Sequence, residues 1–101
     1  MEIIKSISEK IDEELQDAEK YIKCAYKVDE EYPQLADVYY KLSLEEMNHV
    51  TMLHEAVVRI IEDYKRTKEV PPGMQVLYDY LHDRQIKWAS KIKVKQEQFN
   101  S

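Results

Sequence analysis

The chain has one glycine and three prolines in 101 residues, and their placement constrains the fold more than any other feature. Pro33 stands alone, while Pro71, Pro72 and Gly73 form a single cluster. A proline disfavours helix for the residue before it but suits the first turn of a new helix. The spacing therefore predicts three helices, over about 2–31, 33–66 and 72–98, each roughly 40–50 Å long at 1.5 Å rise per residue. The fold class is all-α, in one domain spanning 1–101, because a chain of this length holds a single core. The tight connection at Pro33 makes the first two helices an antiparallel hairpin, with a third, amphipathic helix after it.

The periodicity supports these bounds. In the first segment Ile4, Ile7, Ile11, Leu15, Ala18, Tyr21, Ile22, Ala25 and Val28 recur at helical spacing. In the third, Met74, Leu77, Tyr78, Leu81, Trp88, Ala89, Ile92 and Phe99 mark the apolar face, with Trp88 as its core anchor. The second segment is apolar on two sides. One seam contains Leu42, Leu53, Ala56 and Ile60, the other Met47, Val50, Val57, Val58 and Ile61. A helix wet on so little of its surface needs packing from both sides. Two partner helices in the same chain do not easily supply that, so a second copy of the protein is expected.

Charged residues interrupt these seams at particular places. The first seam of helix two reads Leu42, Glu46, His49, Leu53, so Glu46 and His49 take core positions. Glu45, one residue earlier, lies on the charged stripe and can pair with Lys41. In helix one, Ile7, Glu14, Tyr21 and Val28 form a seven-residue series with Glu14 its one charged member. Counted from a turn at Tyr32, Glu14, Glu46 and His49 lie roughly 27, 21 and 25 Å away, within about one helical turn of each other. An antiparallel hairpin would bring them together. Two buried carboxylates side by side are costly, and a divalent cation that also accepts an imidazole nitrogen removes the cost. In a chain with 13 glutamates and three histidines, Glu-x-x-His alone is a common accident; its seam position and the matching height of Glu14 carry the argument. The competing account is a carboxylate–histidine hydrogen bond in a large helical core.

Glu14 followed by Glu46-Met47-Asn48-His49, set in "EELQDAEKYIKCAY" and "LADVYYKLSLEEMNHVTMLHE", resembles the ferritin-like superfamily, in its rubrerythrin-type and encapsulated-ferritin-like forms. The resemblance covers about residues 3–66. It implies a carboxylate-bridged di-iron centre, with Glu14 and His49 as terminal ligands and Glu46 bridging. The ligand set occurs once here, where a full ferritin-like chain carries it twice. The resemblance thus implies a half-bundle, with the four-helix bundle completed by a homodimer or higher even-numbered oligomer and two irons per dimer. The implied activity is of ferroxidase type: Fe(II) oxidation by dioxygen or peroxide, for iron handling or oxidative-stress protection. Manganese or zinc also suits such an N/O donor set. Paired Cys-x-x-Cys motifs are absent, against a self-contained rubrerythrin peroxidase, and "KIKVKQEQFNS" contains no evident cargo peptide.

Composition narrows the classes further. The net charge is −5, from 20 acidic and 15 basic side chains, which disfavours nucleic acid as a partner. Lys87, Lys91, Lys93 and Lys95 read as a solvated helix face. Cys24 is the one cysteine and reads as a small buried or half-buried thiol, so no intrachain disulfide forms. The first ten residues do not pattern as a signal peptide, and no apolar run is long enough to span a membrane; the expected location is cytoplasmic.

Other residues invite a functional reading. Asp79-Tyr80-Leu81-His82 repeats the acid-x-x-His spacing and reads as a hydrogen-bonded structural pair. His54 reads as a satisfied interface histidine. Tyr21 and Tyr39 lie two turns from proposed ligands and read as packing residues. The rival to a di-iron enzyme is a non-enzymatic helical interaction or assembly protein, in which any metal only staples a dimer.

Overall fold

The computed structural model describes residues 2–69 and 71–101, and among them it is all helical. Helix α1 spans Glu2–Val28, α2 Pro33–Thr67 and α3 Pro72–Phe99. The rod they form measures 56 × 20 × 17 Å. No helix among the described residues is long and apolar enough to cross a membrane.

Pro33 and Pro72 act as starters: α2 and α3 each carry proline in the first turn. Helix α1 stops at Val28, three residues short of the expected end at 31. Tyr32, ahead of Pro33, takes φ −134° and ψ 69°, outside the helical region. Asp29, Glu30 and Glu31 would also set three negative charges against the negative end of the helix dipole. They form the turn instead, closed by a bond from the Tyr32 N–H to the Val28 carbonyl at 2.7 Å.

Contacts between α1 and α2 run in opposite chain directions: Tyr21 stacks on Tyr39, Ser43 reaches Ala18, and His49 reaches Glu14. Helix α3 runs alongside α1 in the same direction. Gln85 meets Ser8, Trp88 donates to Glu19 at 3.2 Å, and Tyr26 donates to the Lys95 carbonyl at 2.8 Å. Against α2 it runs the other way, with His82 on His54 and Phe99 on Tyr40.

The core is built from Ile4, Ile11, Leu15, Ala18, Ile22 and Ala25 of α1, Ala36, Met47, Val57 and Ile61 of α2, and Ile92 of α3. On α2 the buried line follows the Met47–Val57–Ile61 side. The Leu42–Leu53–Ala56–Ile60 seam is only half-buried, and His49 within it is exposed. The sequence therefore overstated the burial of that seam within one chain. Helix α3 lies on the far side of the α1–α2 pair, and its Leu77, expected in the apolar face, is exposed.

Two polar side chains share the α3 core stripe with Ile92: Gln85 and Gln96. Gln96 donates to the Ser43 hydroxyl at 2.8 Å, and Ser43 donates to the Ala18 carbonyl at 2.7 Å, tying all three helices through one buried chain. Gln85 Nε2 lies 3.1 Å from each of the Ser8 carbonyl, the Ser8 hydroxyl and Asp12 Oδ1. Arg84 holds both oxygens of Asp12, at 2.8 and 2.7 Å. These buried amides are satisfied, as the low-polarity interior requires.

Candidate metal centre

Glu14, Glu46 and His49 come together on the α1–α2 face that α3 does not cover. One ligand atom from each lies within 4.8 Å of the others. His49 Nδ1 is 3.4 Å from Glu14 Oε2 and 3.7 Å from Glu46 Oε2. Three residues separate Glu46 from His49, nearly one turn, so one strip of α2 presents both. The opposed chain directions bring Glu14 to the same height.

Burial is uneven within the group. The Glu14 and Glu46 side chains are 13% and 18% exposed, whereas His49 is 51% exposed. The carboxylates point inward and the imidazole forms the outer edge. The core position expected for His49 therefore does not hold within a single chain: its place on α2 turns it outward from the Met47–Val57–Ile61 line.

Lys10 reaches Glu14 Oε1 at 3.6 Å and Glu13 at 3.4 Å. Its ammonium is held above the usual lysine range, first by the hydrogen bond to Glu13, then by the charges of Glu13 and Glu14. Glu46 Oε2 is different: it is fully buried and has no hydrogen-bond partner among the described residues. An unsatisfied buried acceptor costs about 1–3 kcal/mol, and more when charged. The donor set is two carboxylates and one imidazole nitrogen, a mix that suits first-row divalent metals. Separations of 3.4 and 3.7 Å resemble those of neighbouring ligands around a cation bonded at about 2.0–2.2 Å. The residues thus fit a metal, and the orphaned Glu46 oxygen lies 3.7 Å from His49 Nδ1 within the group.

The remaining expectations divide. Asp79 and His82 do not pair: the Asp79 carboxylate accepts from Gln75 at 2.9 Å, and His82 turns to His54, with Nε2 of His54 2.8 Å from Nδ1 of His82. Both departures follow from helix geometry, since Gln75 is one turn from Asp79 on its exposed side while His82 faces α2. Lys41 pairs with Asp37 at 2.9 Å rather than with Glu45. Tyr21 and Tyr39 stack on each other, with ring centroids 6.2 Å apart. Sequence reasoning missed the His54–His82 contact and the buried Gln85 and Gln96. The signal for Gln85 was the series Tyr78, Gln85, Ile92, Phe99, a strict seven-residue repeat along the α3 core stripe, and Gln96 lies one turn beyond Ile92 on the same stripe.

Comparison with protein-family models, curated proteins and solved structures finds no match to this chain.

Proposed function

We propose that the protein is a ferritin-like half-bundle that pairs with a second copy through the open α1–α2 face and holds a carboxylate-bridged di-iron centre there. Glu14, Glu46 and His49 of each copy are the ligands. The observation that carries this reading is the buried, partnerless Oε2 of Glu46 facing Glu14 and His49. The half-buried Ile7, Leu42, Leu53 and Ile60 on the same side supply the apolar border that a second hairpin would cover.

In this reading the protein's own groups have separate tasks. Glu46 presents its inner oxygen between the two helices, and Glu14 closes the opposite side. His49 Nδ1 faces the carboxylates. Lys10 compensates the outer oxygen of Glu14. Ile7 and Leu53 limit access of water. Iron held by Glu14, Glu46 and His49 would supply one electron per Fe(II), two in all, for the reduction of dioxygen to hydrogen peroxide or of peroxide to water. Manganese or zinc in the same ligands would make the centre a structural staple of the dimer.

The second reading, a non-enzymatic helical interaction protein, draws on Lys10. Its ammonium beside Glu14 supplies a counter-charge without any metal.

Metal content per chain after anaerobic loading with Fe(II), together with mass in solution, tests the proposal. One iron per chain in an even-numbered oligomer, with an absorbance change on admitting air, is expected. Absence of bound metal under those conditions would leave Glu14, Glu46 and His49 as a polar network and overturn the reading.

A further inference from the structure

On the other side of α2 lies a second convergence of metal-ligating nitrogens. His54 is five residues beyond His49, hence about 140° round the helix and about 7.5 Å along it. Its Nε2 lies 2.8 Å from Nδ1 of His82 on α3, and the two rings stack with centroids 4.4 Å apart and planes 20° apart. They line an open cleft of about 270 Å³ between α2 and α3, with Met47, Val50, Gln85 and Ala89 among its walls.

Three features separate this pair from an ordinary surface histidine. Neither ring forms an ion pair with a carboxylate among the described residues, and Asp79, the nearest acid in the helical register of His82, is taken by Gln75. Tyr78 stacks on His82 at 5.4 Å and covers one face of its ring, leaving the His54 side for the second imidazole. The rings overlap rather than lie edge to edge. Their two nitrogens approach to 2.8 Å, within hydrogen-bond reach, and a cation would replace that contact as the link between the rings.

Burial, then the neighbouring His82, lowers the pKa of His54, and Glu55 opposes the shift weakly. Imidazole χ2 is a broad torsion, so a modest rotation turns both nitrogens toward a common point at little cost.

We infer that His54 and His82 form an interhelical site for a borderline divalent cation of the zinc, copper or nickel class, opening on the α2–α3 cleft. Two imidazoles without a carboxylate select such ions over magnesium or calcium. Water completes the coordination from the open side. The cation would clamp α3 to α2, which otherwise meet along a thin line of contacts. This site is independent of Glu14, Glu46 and His49 and stands whether or not those residues bind metal.

The test is calorimetric titration of Zn²⁺ into the full chain carrying Glu14→Ala and His49→Ala, with Mg²⁺ as the comparison ion. One Zn²⁺ per chain is expected, with affinity at least tenfold weaker in His54→Gln or His82→Gln. Affinity should also fall as the pH is lowered, because imidazole binds the cation only in its unprotonated form. Should the glutamine variants loosen the fold, imidazole ¹⁵N spectra of the unsubstituted chain decide, because Zn²⁺ must move the His54 and His82 signals together. Zn²⁺ binding that is indifferent to these substitutions, or spectra in which these two signals stay still at saturating Zn²⁺, would overturn the inference.

Discussion

Gln96 of α3 donates through Nε2 to the hydroxyl of Ser43 on α2, at 2.8 Å, with both side chains buried. Ser43 passes the interaction to the Ala18 carbonyl of α1. Removing its hydroxyl strands a buried amide. Ser43→Ala should cost about 1–3 kcal/mol, and urea denaturation measures it. Replacing both partners, Ser43→Ala with Gln96→Leu, should cost less than the sum of the single changes, because no donor is left unpaired. Additive losses would show that the bond contributes nothing beyond packing.

Glu46 offers a different contrast. In chelator-treated protein, Glu46→Gln removes a charge whose inner oxygen has no partner, so the melting temperature should hold or rise. Fe(II), Mn(II) or Zn(II) should raise the melting temperature of the parent chain, and the same variant should lose that shift. To separate this centre from the histidine cleft, the comparison is made in chains carrying His82→Gln. A metal-dependent shift that survives Glu46→Gln would remove Glu46 from the ligand set.

The His54 pKa gives stability a pH dependence of definite sign. Its folded value lies below the ordinary histidine value, so below about pH 6.5 the unfolded chain takes up the proton first. The contribution is present above the unfolded pKa and declines as pH falls through the window between the two values. Denaturant midpoints measured with chelator from pH 7.5 to 5 should therefore fall, and less steeply in His54→Gln. Equal slopes in the two chains would place the effect elsewhere.

Gly73 lies in the first turn of α3 with a negative φ, and a methyl group added there meets nothing within 4 Å. Gly73→Ala should raise stability by about 0.5 kcal/mol, by limiting the unfolded chain. For a domain of this size that is about 2–4 °C in melting temperature. A fall would indicate that a partner approaches this turn closely.

The amino-acid pattern made the three helices legible because every breaker sits just before or in the first turn of a helix, and counting residues from the turn at Tyr32 placed Glu14 level with His49. What it did not reveal depends on how each helix is rotated toward its neighbours. Helix α2 offered two apolar seams, and a linear pattern does not say which one α3 and α1 bury; the Met47–Val57–Ile61 line won, leaving His49 outside. Gln85 and Gln96 look like surface residues until Ser8 and Ser43 are seen opposite them. The His54–His82 contact was hidden for the same reason: 28 residues separate its members, and no local spacing announces it.

Gln85 and Gln96 are eleven residues apart, three helical turns, so both fall on one stripe of α3. Together they act as two detents on a sliding rod. Methyl groups in their place would let α3 creep along α1 by fractions of a turn at small expense. An amide that must meet a particular hydroxyl or carbonyl tolerates only a few tenths of an ångström, and a slip of one 5.4 Å turn would break both sets of bonds at once. These two amides therefore fix the register of α3, and whatever enters the α2–α3 cleft meets a helix whose position along its neighbours is already set.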